Sequence, residues 1–327
     1  MEFQIRPTDT ADFSRLTDMF ALCLGRRVDD SYFRWKYLEN PSGPVVAFEA
    51  FEQNNIAAFY GVIPECYADG QEKFLAYQSM DTMTHPNYQK KGLFVKLAKH
   101  TYAAVQAKHP ELLIVGVPGS NSFHGFVNKL GWKHLIDIPY IFTHRAAFTA
   151  RNIFRRDRTI HITELNTFTD DIQGFLDRFY STQKMIRPFY DVATLNWKVF
   201  MHPFKELRVL SLTKNEHMEG LIIYSKENNR IKIELADFSQ SESSDALLLA
   251  GLSRIFGDNP QAQWLFTWEP TRKDLKTAYR KAGLLKNPFS KGPFSYKVPF
   301  IIYGTKFAGA DTGDLRSRFD LQPLIQD

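Results

Sequence analysis

The chain has 327 residues, a mass of 37.9 kDa and a net charge of +5 from 41 Lys and Arg against 36 Asp and Glu. Charged residues at 24% and hydrophobic ones at 44% exclude a disordered chain. The dispersal of the basic residues among acidic ones excludes a nucleic-acid footprint, so no nucleic-acid partner is expected.

The length predicts two domains, at roughly 100–200 residues each. The N-terminal decapeptide MEFQIRPTDT is polar and lacks the apolar core of a secretory signal. No apolar run approaches the ~20 residues of a membrane span, which predicts a soluble, cytoplasmic chain without a membrane partner. Cys23 and Cys66 make neither a disulfide framework nor a metal-ligand spacing, and the nine His show none either, so no metal is expected.

In chain order, Phe3–Pro7 alternates like a strand, and Phe13, Leu16, Met19 and Phe20 fall at helical spacing. Trp35-Lys36 with Pro41 follows, then strand-like runs over Val45–Phe51 and Ile56–Ile63. The same order recurs. Ile160–Leu165 alternates, Ile172, Phe175, Leu176 and Phe179 are helical, and Trp197-Lys198 with Pro203 stands 162 residues after its first copy. Strand-like Leu207–Leu212 and Gly220–Tyr224 come next. Tryptophan occurs only 5 times, so a matched W-K-x4-P marks an internal repeat of an α/β unit. The join is expected near residues 145–158, where Arg151, Arg155, Arg156 and Arg158 form a solvated basic linker or a phosphate-binding patch. Trp35 and Trp197 are expected to anchor their helices each in its own core, the alternative being a cleft wall.

The chemistry concentrates in the first copy. A strand through Gln78–Thr84 meets a turn at His85-Pro86-Asn87, then Tyr88-Gln89-Lys90-Lys91-Gly92-Leu93-Phe94, then an amphipathic helix over Val95–Val105. A basic glycine loop opening a helix is an anion site, because unpaired N–H groups point outward and the helix dipole favours negative charge. The Q-x-x-G pattern alone is weak; its strand–turn–helix context gives it meaning. Strand-like Leu112–Val117 leads to Asn121-Ser-Phe-His124-Gly-Phe126-Val127-Asn128-Lys129-Leu130-Gly131-Trp132. No dinucleotide fingerprint, P-loop, nucleophile elbow or zinc-protease motif is present.

The run T-H-P-N-Y-Q-K-K-G-L-F resembles the central Q/R-x-x-G-x-G/A motif of the GNAT (Gcn5-related N-acetyltransferase) superfamily, and Asn121–Trp132 resembles its second motif. The resemblance implies an α/β (α+β) fold of two tandem GNAT-like domains, each a mixed, mostly antiparallel sheet flanked by helices. Residues 1–145 would carry the acyl-CoA site; residues 158–327 would be a degenerate copy shaping the acceptor cleft. By the same resemblance the amides of Gln89, Lys90, Lys91, Gly92, Leu93 and Phe94 grip the pyrophosphate of acetyl-CoA. Met83 and Thr84 on the splayed fourth strand bond the pantetheine arm and thioester carbonyl, and Asn121 contacts the arm. The reaction implied is acyl transfer from acetyl-CoA to a primary amine of a small molecule or peptide, directly in a ternary complex. An aminoacyl transferase of FemAB type and a non-catalytic CoA-binding module are the alternatives.

Two departures matter. Phe94 stands where the motif has a small residue, so its ring must be packed away. Val127 stands where the family often has a Tyr that protonates the leaving thiolate; His124 is the candidate in its place, or an ordinary helix-start residue. Asp81 is the candidate general base, or simply pairs with a neighbouring Lys, while His85 belongs to the turn. In the second copy Ser239–Asp245, with Glu242 and Asp245, replaces the basic loop and would repel a pyrophosphate.

Overall fold

The computed structural model describes residues 2–11, 13–152, 157, 159–239 and 244–326. The first half contains β1 (Gln4–Pro7), α1 (Ser14–Leu24), α2 (Asp30–Tyr37), β2 (Val46–Glu52), β3 (Asn55–Asp69) and β4 (Glu72–Thr84). It continues with α3 (Leu93–Gln106), β5 (Leu113–Gly116), α4 (Ser120–His124) and β6 (Lys133–His144). The join is helical over α5 (Arg145–Asn152); Arg155, Arg156 and Arg158 lie outside the described residues. The second half repeats the order as β7 (His161–Leu165), α6 (Gln173–Thr182), β8 (Ile186–Pro188), α7 (Val192–Val199), β9 (Leu207–Lys214), β10 (His217–Glu227) and β11 (Arg230–Phe238). It ends with α8 (Ser244–Asp258), β12 (Trp264–Trp268), α9 (Lys273–Ala282), β13 (Leu285–Lys286), β14 (Lys297–Gly304) and α10 (Thr312–Arg318).

Each half has the mixed, mostly antiparallel sheet that the sequence predicts, and the two run into one another. The strand order is β1-β2-β3-β4-β5-β14-β6-β12-β11-β10-β9-β7. Strand β6 bridges the halves. Its first residues pair with β14 (Ile302↔Lys133 to Lys297↔Pro139), and its last pair with β12 (Trp268↔Tyr140 to Trp264↔His144). The C-terminal strand β14 therefore lies between β5 and β6 of the first half.

The repeated W-K motif lies where the halves meet. Asp29 and Asp191 each cap their helix, accepting from the amides of Ser31 and Thr194. Helices α2 and α7 then bring Trp35 and Trp197 face to face, ring centroids 5.0 Å apart and planes at 24°. Each indole N–H donates to the other's backbone carbonyl at 2.8 Å. This corrects the expectation that each ring serves its own half. The two indoles pack on each other, and Trp197 belongs to the apolar cluster of α1 and α2. Beside them Lys36 and Lys198 are buried in ion pairs with Asp81 and Glu65 at 2.9 and 3.0 Å.

Candidate active site

Strand β4 leaves β5 after two parallel pairs, Tyr77↔Ile114 and Gln78↔Val115, and the opening between them is the candidate site. An extra residue in β4 drives the divergence. Gly61 and Phe59, two apart on β3, face Met80 and Met83, three apart on β4. The bulge puts Asp81 in the left-handed region at φ 47°. Beyond β4 the chain turns at Pro86, where the His85 Nδ1 accepts from the Asn87 amide, so His85 belongs to the turn as expected.

The glycine loop has the geometry of an anion cradle. Lys90 and Gly92 both have positive φ, 63° and 75°, and Gly92 is the N-cap of α3. Among the described residues no side chain caps α3, and no acidic residue stands in its first turn. Its leading amides are thus left for a ligand. They open on a cleft of about 700 Å³ lined by all six predicted loop residues, Gln89 to Phe94, and by Thr84, Asn121 and His124. The Phe94 ring is packed away: it sits edge-on to Phe126 with centroids 5.0 Å apart. Glycine at 125 makes this possible, since a Cβ there would lie 2.7 Å from the Phe94 ring.

The structure separates the other predicted residues. The Met83 side chain is buried with the α1–α2 cluster and does not line the cleft. Asp81 lines an adjoining inner cavity of about 290 Å³, which shares Thr82, Gly119 and Ser122 with the outer cleft. There Asp81 accepts a 2.7 Å hydrogen bond from the Tyr37 hydroxyl and pairs with Lys36. His124 lies on the outer cleft, its Nδ1 3.0 Å from the Asn128 amide nitrogen. Val127 packs against the apolar core. Sequence reasoning missed Ser79 and Thr82 on β4 and the end of α1. Leu22, Cys23 and Leu24 line the outer cleft, and Leu22 and Leu24 are exposed there. Their signal was an apolar run continuing past the helical period of α1.

The corresponding opening in the second half is filled by the chain's own C-terminal segment. Strands β11 and β12 likewise pair over only three residues before diverging. In the gap Gln322 Oε1 accepts from the Ala236 amide at 2.8 Å, and its Nε2 donates to Asp237 at 2.9 Å. Arg187 donates to Asp237 at 2.6 Å and to Asp320 at 2.9 Å, all three buried. Asp245, in the first turn of α8, pairs with Lys281; Glu242 lies outside the described residues.

Residues 4–135 match the family model of the acetyltransferase (GNAT) domain. No curated protein matches the sequence. Among solved structures, a probable N-acyltransferase of Enterococcus faecalis superposes with a TM-score of 0.71 at 11% identity, over 94% of this chain and 73% of its own. A tandem GNAT protein from the clavulanic acid biosynthesis pathway gives 0.61 at 10% identity, over 93% and 98%. The N-myristoyltransferase of Saccharomyces cerevisiae, with bound myristoyl-CoA, gives 0.61 at 11%, over 93% and 79%. The match places the family's domain pattern on residues 4–135, and the whole chain has the fold of a tandem GNAT protein.

Proposed function

We propose that this protein is an acyl-CoA-dependent N-acyltransferase, with acetyl-CoA the simplest donor, that binds one CoA per chain in the first half. The observation that carries the reading is the uncapped N-terminus of α3. It opens with Lys90 and Gly92 in left-handed conformation onto a 700 Å³ cleft, while the equivalent opening of the second half is filled. Each hydrogen bond from such an amide to a charged phosphate is worth about 1.5–3 kcal/mol, and Lys90 and Lys91 add charge. The pantetheine arm then runs past Thr84 and Asn121 to the junction of the two cavities. An amine meeting the thioester there attacks it directly. In this reading Asp81, which lines the inner cavity and is held by Lys36 and Tyr37, receives the amine's proton. In the same reading His124, which lines the outer cleft, returns a proton to the departing thiolate. In this reading residues 158–327 shape the acceptor side and bind no cofactor.

Calorimetric titration with acetyl-CoA tests this. One site per chain is expected. No binding, or two equivalent sites, would overturn it.

A further inference from the structure

Behind β4, on the α3 side of the sheet, four polar groups form a single chain. The Trp132 indole N–H donates to the Tyr102 hydroxyl at 2.9 Å. The Tyr102 and Tyr60 hydroxyls are 3.0 Å apart, and Tyr60 is 2.8 Å from Ser79 Oγ. Trp132, Tyr102 and Tyr60 are buried, and Ser79 lines the inner cavity at the opening of β4 from β5.

The direction of this chain follows from its closed end. An indole nitrogen donates and cannot accept. Tyr102 therefore accepts from Trp132, and its own hydrogen needs an acceptor, because a buried hydroxyl hydrogen left unpaired costs ~1–3 kcal/mol. Tyr60 is that acceptor, so the Tyr60 hydrogen passes to Ser79. Burial pushes both tyrosines well above the ordinary phenol range, so both stay protonated and keep donating. The Ser79 oxygen is then occupied as an acceptor from behind, and its hydrogen is left for the cavity.

The other hydroxyls there are placed differently. Ser122 donates to the Gly119 carbonyl at 3.2 Å. Thr82 borders both cavities, but among the described residues no hydrogen bond orients it.

We propose that Ser79 is a catalytic hydrogen-bond donor to the acyl carbonyl oxygen, oriented by Tyr60, Tyr102 and Trp132 as positioning residues. This rests on the acyl-CoA reading of the cleft. The hydroxyl faces the place where the thioester carbonyl gains negative charge as the amine attacks. No proton is transferred: the oxyanion forms against a preset donor, and collapse of the intermediate expels the thiolate. Chained hydroxyls polarise one another, so the terminal one donates more strongly than an isolated serine.

The test uses the full chain and acetyl-CoA carrying a ¹³C-labelled thioester carbonyl, with the isotope-edited infrared band of the bound ligand as readout. Binding to the native protein should shift the carbonyl stretch to lower frequency. Ser79→Ala should lose most of that shift and leave acetyl-CoA affinity within about twofold, since the bond strengthens mainly as charge develops. Ser79→Thr should restore the shift. Tyr60→Phe keeps the ring packing, removes the donor behind Ser79 and should give an intermediate shift. A native-sized shift in Ser79→Ala, or an unshifted carbonyl in the native complex, would overturn the proposal while the acyl-CoA reading stands. Calorimetric absence of acetyl-CoA binding to the native protein would overturn both.

Discussion

The two halves share their helices, strand order and splay, and differ in what occupies the opening between the diverging strands. In the first half β4 and β5 part around two cavities that share lining residues, and no described side chain caps α3. In the second half the gap between β11 and β12 holds Gln322, Asp320 and Arg187, and the Ala236 amide is already bonded. One half thus keeps a cleft between its diverging strands where the other packs its own polar side chains. The fill is polar, and so its removal is costly.

That cost is the largest effect expected. Arg187 is the hub, with Asp237 and Asp320 buried on either side and Arg272 at 3.5 and 3.8 Å from them. Arg187→Met should lower unfolding stability by about 3–5 kcal/mol, since two carboxylates lose their main counter-charge in the interior. Urea unfolding measures it, and a loss under about 1 kcal/mol would mean that Arg272 suffices alone. CoA affinity of the folded variant should be unchanged.

A second contrast concerns β2 and β9. Glu49 pairs with Arg6 and Phe59 in strand register, and Ser211 pairs with Thr163 and Leu221 at the same place in the repeat. Burial raises the Glu49 carboxyl from 4.5 to about 7, more than the nearby arginines offset. Its folded value exceeds its unfolded one, so its contribution is fully present below pH 4.5 and is lost as pH rises through 7. Glu49→Gln should therefore gain stability relative to the native chain on going from pH 5 to pH 8, on the order of 2 kcal/mol. Parallel denaturant curves at the two pH values check it. A constant difference would show that Glu49 titrates normally.

In the glycine loop, Gly92→Asp forces a side chain into the left-handed region and adds a negative charge beside the proposed phosphate site. A Cβ at 92 meets nothing within 4 Å, so crowding is not the cause. Acetyl-CoA affinity should fall about tenfold or more, equivalent to ~1.4 kcal/mol. An unchanged dissociation constant would remove the loop from the site.

How much of this was legible follows from sequence distance. The repeat was readable because Trp, Lys and Pro recur at fixed spacing, and the loop because strand, turn, glycine and helix are consecutive. The insertion of β14 between β5 and β6 was not, since pairings such as Ile302↔Val115 leave no local pattern. The same holds for the Gln322 fill, and for the bulge that hands Asp81 to Lys36 and Tyr37. Ser79 was invisible for a related reason. Its partners stand apart in the chain, Tyr60 on β3, Tyr102 on α3 and Trp132 just before β6, and each alone reads as core packing.

The smallest effect is the one that tests the symmetry itself. The two indoles at the meeting of α2 and α7 exchange equal hydrogen bonds, both 2.8 Å and both to a carbonyl of the opposite half. Trp35→Phe and Trp197→Phe each remove one bond, leave one buried carbonyl unpaired and keep an aromatic ring in the stack. Each should cost about 1 kcal/mol, and the two costs should be alike. The rings are in contact, so the double variant should depart from additivity by about 0.5 kcal/mol or more. Unequal single costs with no coupling would mean that the indoles serve separate cores, as the sequence suggested, and that the symmetry of the repeat carries no energy across the junction.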